Sequence, residues 1–380
     1  MDIIKRVCKI KIIDDSVYFK STFILWGLIH SLALGQYITS YASPVILLWG
    51  GLLVIKSLFI DKINFSKKYW ILISGFLVSY LITIIINRDL NFIGNTKTLI
   101  WAIIMIVILF INDYNKNKEE ILKDVSRIAK VIVLATLIIS GISILQFLVN
   151  ISFFVTRVDG RSIPQGYYAA RLWGLYVDPN QECNVALISL ALSTILLIRK
   201  RVLNKVLLVL NIVVQYLLIV LSGSRGGSIG LGVLSIGILY LVVDRIFKDK
   251  INKIGVRTII SLVLSVMLAF TLIATQGVTK RVLVLIPEMN TNIRDNASSG
   301  NKEHNDKITI DRPDVETSNG RIQLWTDGLK LSRNFPAFGV GDRNIMIVAE
   351  KLMPGSSITK QYVHNGYIHM LLSGGIVGLS

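Results

Sequence analysis

Long apolar runs alternate with short polar segments along this chain, and the runs have membrane-crossing length. Stretches near residues 21–40, 43–60, 70–86, 98–112, 128–149, 183–198, 204–221, 227–243 and 257–275 approach the roughly 20 residues that a helix needs to cross a hydrocarbon core. A tenth run starts near Tyr367 and is cut at Ser380, so a continuation is expected there. The pattern predicts an all-α, polytopic membrane helix bundle of about ten spans with a large external loop domain. Its expected division is 1–275 for the bundle, 276–363 for the external loop and 364–380 for the start of a further membrane helix.

Two segments break the rhythm. Residues 151–182 mix aromatics, glycines and arginines, which predicts a re-entrant or interfacial segment. Between Gly277 and Val363 the middle is polar enough to predict mobility, but "GRIQLWTDGLKL" puts Ile322, Trp325 and Leu329 at helical spacing. That spacing predicts an amphipathic helix on the membrane surface. "MIVAEKLM", after the Gly-rich turn "FGVGDRN", predicts a second short helix.

Composition agrees with a membrane chain: 52% of residues are hydrophobic and only 17% charged, against about 25% charged in soluble domains. The formal charge of +17 raises the question of nucleic acid, and its distribution answers it. With the N-terminus inside, the cytoplasmic segments carry 22 Lys and Arg and the short external loops six. Such a bias orients a membrane protein, and no nucleic-acid partner is expected. The N-terminus is predicted cytoplasmic and no cleavable signal peptide is evident. Cys8 and Cys183 fall on opposite sides and cannot pair within the chain. Metal-ligand spacings, a Walker loop, GxGxxG and HExxH are all missing, so neither metal nor cofactor is expected. "EHND" at 303–306 looks like a metal cluster only superficially. The Lys/Asn/Ile-rich composition suggests an AT-rich bacterial genome.

The candidate chemistry falls on the predicted external face. Arg225, in "LSGSRGGSIG", opposes both the charge bias and the positive end of a helix dipole. A cation there suggests an anion that completes the site: a helix N-terminus has free N–H groups, an arginine fork binds phosphate in bidentate fashion, and Gly226 and Gly227 permit close approach. Ser222 and Ser224 would cap or add donors. A snorkelling arginine that marks the interface is the plainer alternative. His364 precedes Asn365, a good N-cap, and a histidine at a helix N-terminus tends to stay neutral and available as a base. The alternative is an interfacial hydrogen-bonding residue. His369, within the helix, is assigned to packing or to a polar face. Arg321 offers a second phosphate clamp or a solvated charge. Arg171 and Asp178 are supporting residues, Asp178-Pro179-Asn180 reading first as a helix start.

These residues resemble the O-antigen ligase and O-antigen polymerase family of bacterial polysaccharide assembly. The segments that carry the resemblance are "GLYVDPN" (174–180), "SGSRGGSIGL" (222–231), "NGRIQLWTDGLKL…FPAFGVG" (319–341) and "VHNGYIHMLLSGGIVGL" (363–379). The resemblance covers residues 170–380; before that only the hydropathy pattern matches. It implies a multi-helix, metal-independent membrane glycosyltransferase of the C superfamily, with an undecaprenyl-diphosphate-linked glycan as donor and an acceptor glycan as second substrate. By motif position Arg225 and Arg321 match the family's diphosphate-associated arginines, and His364 matches its proposed catalytic base. Asp178 matches more loosely. The family's further helices after the histidine motif are missing here.

The implied setting is the bacterial plasma membrane, with the active site outside and membrane lipids, a flippase and a chain-length regulator as the expected company. An enzyme working there has no cytosolic nucleotide sugars, so activation must arrive on a lipid. Two arginines then supply electrostatic stabilisation of the leaving diphosphate where other transferases use Mg²⁺. A polymerase for a capsule, exopolysaccharide or wall polymer is the favoured expectation, and a ligase to a terminal acceptor is the alternative. A small-anion, bicarbonate-like transporter is a different class; His364 and the large external cap argue against it. A lipid-linked sugar flippase is disfavoured by the nearly charge-free spans 70–86, 98–112 and 204–221.

Overall fold

The computed structural model describes residues 15–61, 67–158, 160–199, 203–297 and 318–379. Cys8, the EHND stretch and most of the polar middle of the long loop lie outside the described residues. The helices in chain order are α1 (Ser16–His30), α2 (Gly35–Ile55), α3 (Lys67–Ile86), α4 (Phe92–Ile104), α5 (Lys118–Leu148), α6 (Pro179–Ile198), α7 (Lys205–Ser222), α8 (Arg225–Phe247), α9 (Ile254–Ala297), α10 (Ser318–Ser332), α11 (Ile345–Leu352) and α12 (Gly366–Leu379). Among the described residues eight helices are long and apolar enough to cross a membrane, from Gly35–Ile60 to Ile254–Pro287. The protein is therefore an all-α, multi-pass membrane chain with one small sheet.

Two departures from the hydropathy pattern have clear causes. The first predicted span, 21–40, is interrupted: α1 ends at His30 and α2 starts at Gly35. In the break, Ala33 N–H donates to Leu175 O at 2.9 Å and Ser31 O accepts from Val177 N–H at 3.1 Å. A distant segment thus supplies the backbone partners that a continuous helix would have supplied. The segment 151–182 breaks the run of helices by forming a three-stranded antiparallel sheet: β1 (Phe153–Thr156), β2 (Ser162–Tyr168) and β3 (Arg171–Gly174). Its aromatic and β-branched side chains suit a pleated surface. A bulge at Gly166/Tyr167 shifts the register between β2 and β3.

The chain divides into two compact units that interleave along the sequence. One comprises residues 21–44 and 119–313. Its core gathers Phe147, Tyr167, Leu172, Cys183, Leu190, Leu218, Leu231 and Val284 from α5, the sheet and α6 to α9. A buried polar chain crosses this core. Thr136 and Ser189 share a hydrogen bond of 2.6 Å, Asn211 Nδ2 donates to Ser189 and Ser193, and Gln215 Nε2 donates to Asn211. Ser140 closes the chain by donating to Gln215 Oε1 at 3.0 Å. Apolar packing between helices in lipid has little hydrophobic drive, so such side-chain bonds help to fix which helices pair.

The other unit comprises residues 1–20, 45–118 and 314–380. It packs α3 and α4 with the end of the long loop, whose helices share a core of Leu324, Leu331, Val340, Ile345, Val348, Ile358, Val363, Ile368 and Leu372. Periodicity alone puts Ile322, Trp325 and Leu329 on the apolar face of α10. In the fold Ile322 and Leu329 stay exposed while Leu324 and Leu331 are buried, because Gly328 lets α10 approach Ile368, Val363 and Leu372 closely.

α12 is not one continuous helix. Gly375 has φ 67° and ψ −167°, which breaks it. Val340 N–H donates to Leu372 O and Gly341 N–H to Ser373 O, while Pro336 O and Ala337 O accept from Ile376 and Val377 N–H. Neither glycine at this crossing has room for a side chain: a Cβ on Gly375 would lie 2.2 Å from Ala337 O, and one on Gly339 2.5 Å from Leu372 O. Thr83 of α3 and Asn87, just after its end, donate to Phe338 O and Gly339 O and tie the crossing to the helix end. Gly375→Ala is therefore expected to cost about 2 kcal/mol or more, whereas Gly366→Ala, with open space around it, is expected to be mild. Thermal unfolding in detergent, with equal melting temperatures for the two variants as the contrary result, checks this.

Candidate functional site

His364 sits between a buried valine and a helix cap. Val363 is 1% exposed, and its carbonyl accepts the Trp325 indole N–H at 2.9 Å. On the other side Asn365 caps α12: its Oδ1 accepts from Tyr367 and Ile368 N–H, and its carbonyl from His369 N–H. The predicted cap is thus observed. His364 itself has φ 49°, a left-handed backbone that costs a non-glycine residue about 1–3 kcal/mol and persists only where its surroundings over-determine it. Its side chain is exposed and has no hydrogen bond or ion pair among the described residues.

Arg321 belongs to the same neighbourhood. It lies four residues before Trp325 on α10, on the same helix face, so the residue that clamps the backbone at His364 is one turn away from this guanidinium. Arg321 is exposed and has no bonded partner among the described residues. The two residues assigned separately from the sequence are therefore presented from adjoining elements of one unit.

His369, read from the sequence as a packing or polar-face residue, has a definite polar partner. Its Nε2 lies 2.8 Å from Asp342 Oδ1, in the 3-10 turn Asp342–Asn344. Asp342 N–H donates to the Tyr80 hydroxyl, which donates to Asn95 Oδ1, and Asn95 Oδ1 also accepts Arg343 N–H. Asn344 Oδ1 accepts Asn91 N–H at 3.0 Å. The turn is thereby fixed to α3 and α4. Hydrogen bonding to His369 holds the Asp342 carboxyl below its ordinary pKa against the opposing effect of burial, with Arg343 also lowering it. Beside the pair is a cavity of about 180 Å³ lined by Phe76, Tyr80, Thr98, Ala102 and Met370 among others. The roles of Asp342 and of the Trp325 indole N–H are not legible in the sequence. No local spacing links Asp342 to a histidine 27 residues away, and Trp325 looked purely apolar although it carries an N–H that a buried site must pair.

In the other unit Arg225 opens α8. Ser224 is the N-cap and accepts Gly227 N–H at 3.2 Å, and Ser222 Oγ accepts Ser224 N–H. Arg225 and Gly226 are exposed, with open space where a Gly226 side chain would be. Arg225 has no bonded partner among the described residues. Gly227 has a different role from close approach of an anion: a Cβ there would lie 1.9 Å from Cys183 Sγ, so its missing side chain lets α8 pack on α6. Arg171 is 8% exposed and bridges Ser222 O and Asn180 Oδ1, each at 2.8 Å. Asp178 caps α6 by accepting Asn180 N–H, with Pro179 following. Arg171 therefore ties the end of α7, three residues before Arg225, to the start of α6 that Asp178 caps. The described residues hold no group of three or more His, Cys, Asp or Glu placed for a metal ion.

A carboxylate whose folded pKa is depressed stabilises the fold fully above its unfolded value, about 4, and loses that contribution as pH falls through the lower folded value. The melting-temperature difference between wild type and Asp342→Asn should therefore be largest at pH 6–7 and should shrink as pH falls below about 4. A difference that stays constant across that range is the contrary result.

The comparisons with known proteins bear on the same stretch. No curated protein matches the chain and no solved structure does. A family-level sequence profile described as O-Antigen ligase matches residues 206–380, which include Arg225, Arg321, Asp342, His364 and His369. That stretch is thus similar to the O-antigen ligase family, a likeness consistent with glycan transfer of the ligase or polymerase type.

Proposed function

We propose that the protein is a glycosyltransferase of the bacterial plasma membrane that joins a glycan from an undecaprenyl-diphosphate-linked donor to a hydroxyl of an acceptor glycan on the external face. The observation that carries it is the presence in one unit of an exposed arginine, Arg321, and of His364, whose strained backbone is fixed between a clamp and a cap. Strain held in place at an exposed histidine is more readily understood as service to chemistry than as packing.

In this scheme Arg321 is a diphosphate-binding residue, and Arg225 has the same expected role from its sequence motif. Their planar forks suit phosphate oxygens, and neutralising those oxygens makes the lipid diphosphate a better leaving group. His364 accepts the proton of the acceptor hydroxyl as its oxygen attacks the anomeric carbon, a contribution of roughly 10²–10⁴-fold. The bond to the diphosphate oxygen breaks, and attack from the opposite face inverts the centre. The cavity beside His369 has largely apolar walls and suits a hydrocarbon segment better than a sugar. Repeated transfer between lipid-linked units makes the protein a polymerase.

His364→Ala should keep the fold and donor binding and lose transfer by about 10² or more; near-normal yield removes His364 from the base role. Arg225→Lys should remain impaired, because a point charge lacks the fork geometry, and full activity in that variant argues for simple charge placement. Reconstitution with a lipid-linked repeat unit should give a ladder of products on gel or mass analysis. A single joined product indicates a ligase, and anion flux without product indicates a transporter.

A further inference from the structure

The proposed base has a peculiarity that its own side chain does not explain. His364 is exposed and has no bonded partner among the described residues, yet its backbone is held at φ 49°. A general base works only when its ring meets the reacting hydroxyl within hydrogen-bond reach. Something other than direct bonds to the imidazole must therefore fix its direction. Three contacts converge on the flanking backbone: the Trp325 indole on the Val363 carbonyl, the Asn365 cap, and the anchoring of the first turn of α12 through His369 to Asp342.

We propose that Trp325 and the Asp342–His369 pair are positioning residues for His364, a role that rests on the assignment of His364 as the base. Trp325 acts through the carbonyl immediately before His364 and fixes one end of the left-handed residue. Asp342 acts from the other side. Its carboxylate holds His369, one turn into α12, and its own N–H is tied to Tyr80, which is tied to Asn95. The position of the first turn of α12 is thereby referred to α3 and α4 and not to the loop alone. Val363 and Ile368, on either side of the histidine, are buried in the common core, so the segment between them has little freedom except at the exposed ring. Arg321, one turn from Trp325, is registered to the same clamp, and the relation between phosphate-binding and proton-accepting groups is set by one helix face.

The chain has four histidines, so ¹⁵N-histidine labelling of the full-length protein in detergent gives few imidazole signals, assigned by His364→Gln and His369→Gln. Trp325→Phe removes the N–H and keeps an aromatic ring, though a smaller one; Asp342→Asn keeps the shape and removes the charge. In both, the His364 signal should move. Under donor and acceptor saturation kcat should fall by about 10- to 100-fold, the scale of a small misplacement, with both KM values within about twofold of wild type. Asp342→Glu, which retains a carboxylate, should recover part of the loss. His30, bonded to Thr39 at 2.8 Å, serves as an internal control. If either variant fails to fold, the other decides. An unmoved His364 signal, or a loss confined to KM, overturns the proposal. The NMR arm needs no turnover: if wild type transfers no glycan while the His364 signal still responds, the assigned activity falls and the positioning stands.

Discussion

The backbone crossing between the Gly339–Gly341 turn and the broken end of α12 is the contact on which the site depends. A helix that stops leaves carbonyls and N–H groups without partners, and in a dry setting each orphan is costly. Here the turn supplies them: Val340 and Gly341 donate to Leu372 and Ser373, and Pro336 and Ala337 accept from Ile376 and Val377. The crossing is possible only because Gly339 and Gly375 carry no side chain. Everything local to the histidines follows from it. The turn that continues from Gly341 brings Asp342 to His369, and the helix that ends there is the one whose cap, Asn365, directly follows His364.

The two units rely on different means of pairing helices. In one, a chain of Thr, Ser, Asn and Gln side chains joins α5, α6 and α7, and each polar group in it finds a partner. In the other, an apolar core under the loop helices is framed by polar bonds to the ends of α3 and α4. That second arrangement puts rigidity where loops ordinarily have least. A reactive side chain carried on a loop can be aimed only if the loop is braced by something stiffer, and here the braces are the ends of two membrane-length helices.

How much of this was legible depends on the range of the interaction. The caps at Asp178, Ser224 and Asn365 were readable because a cap acts within three residues of itself. Membrane-length helices were readable because apolar length is a local property. The sheet at 153–174 and the break at Ser31–Leu34 were not, since both depend on backbone pairing with distant residues, and so an apolar run across the break looked continuous. Gly227 was read as making room for a ligand, but its neighbour is Cys183, 44 residues earlier in sequence, and no local pattern could reveal it.

By itself the sequence determined the class of molecule and the set of chemical groups. Apolar runs of that length have no stable home but lipid, and arginines and a histidine beside helix starts are defined by their immediate neighbours. Only the tertiary structure decided which of those groups are aimed. Whether a histidine is merely present or held depends on a tryptophan 38 residues before the carbonyl that it bonds and on a carboxylate 27 residues from the imidazole beside it. Such bonds form after the chain has closed its long loops, so the residues involved carry no mark of them in the linear order.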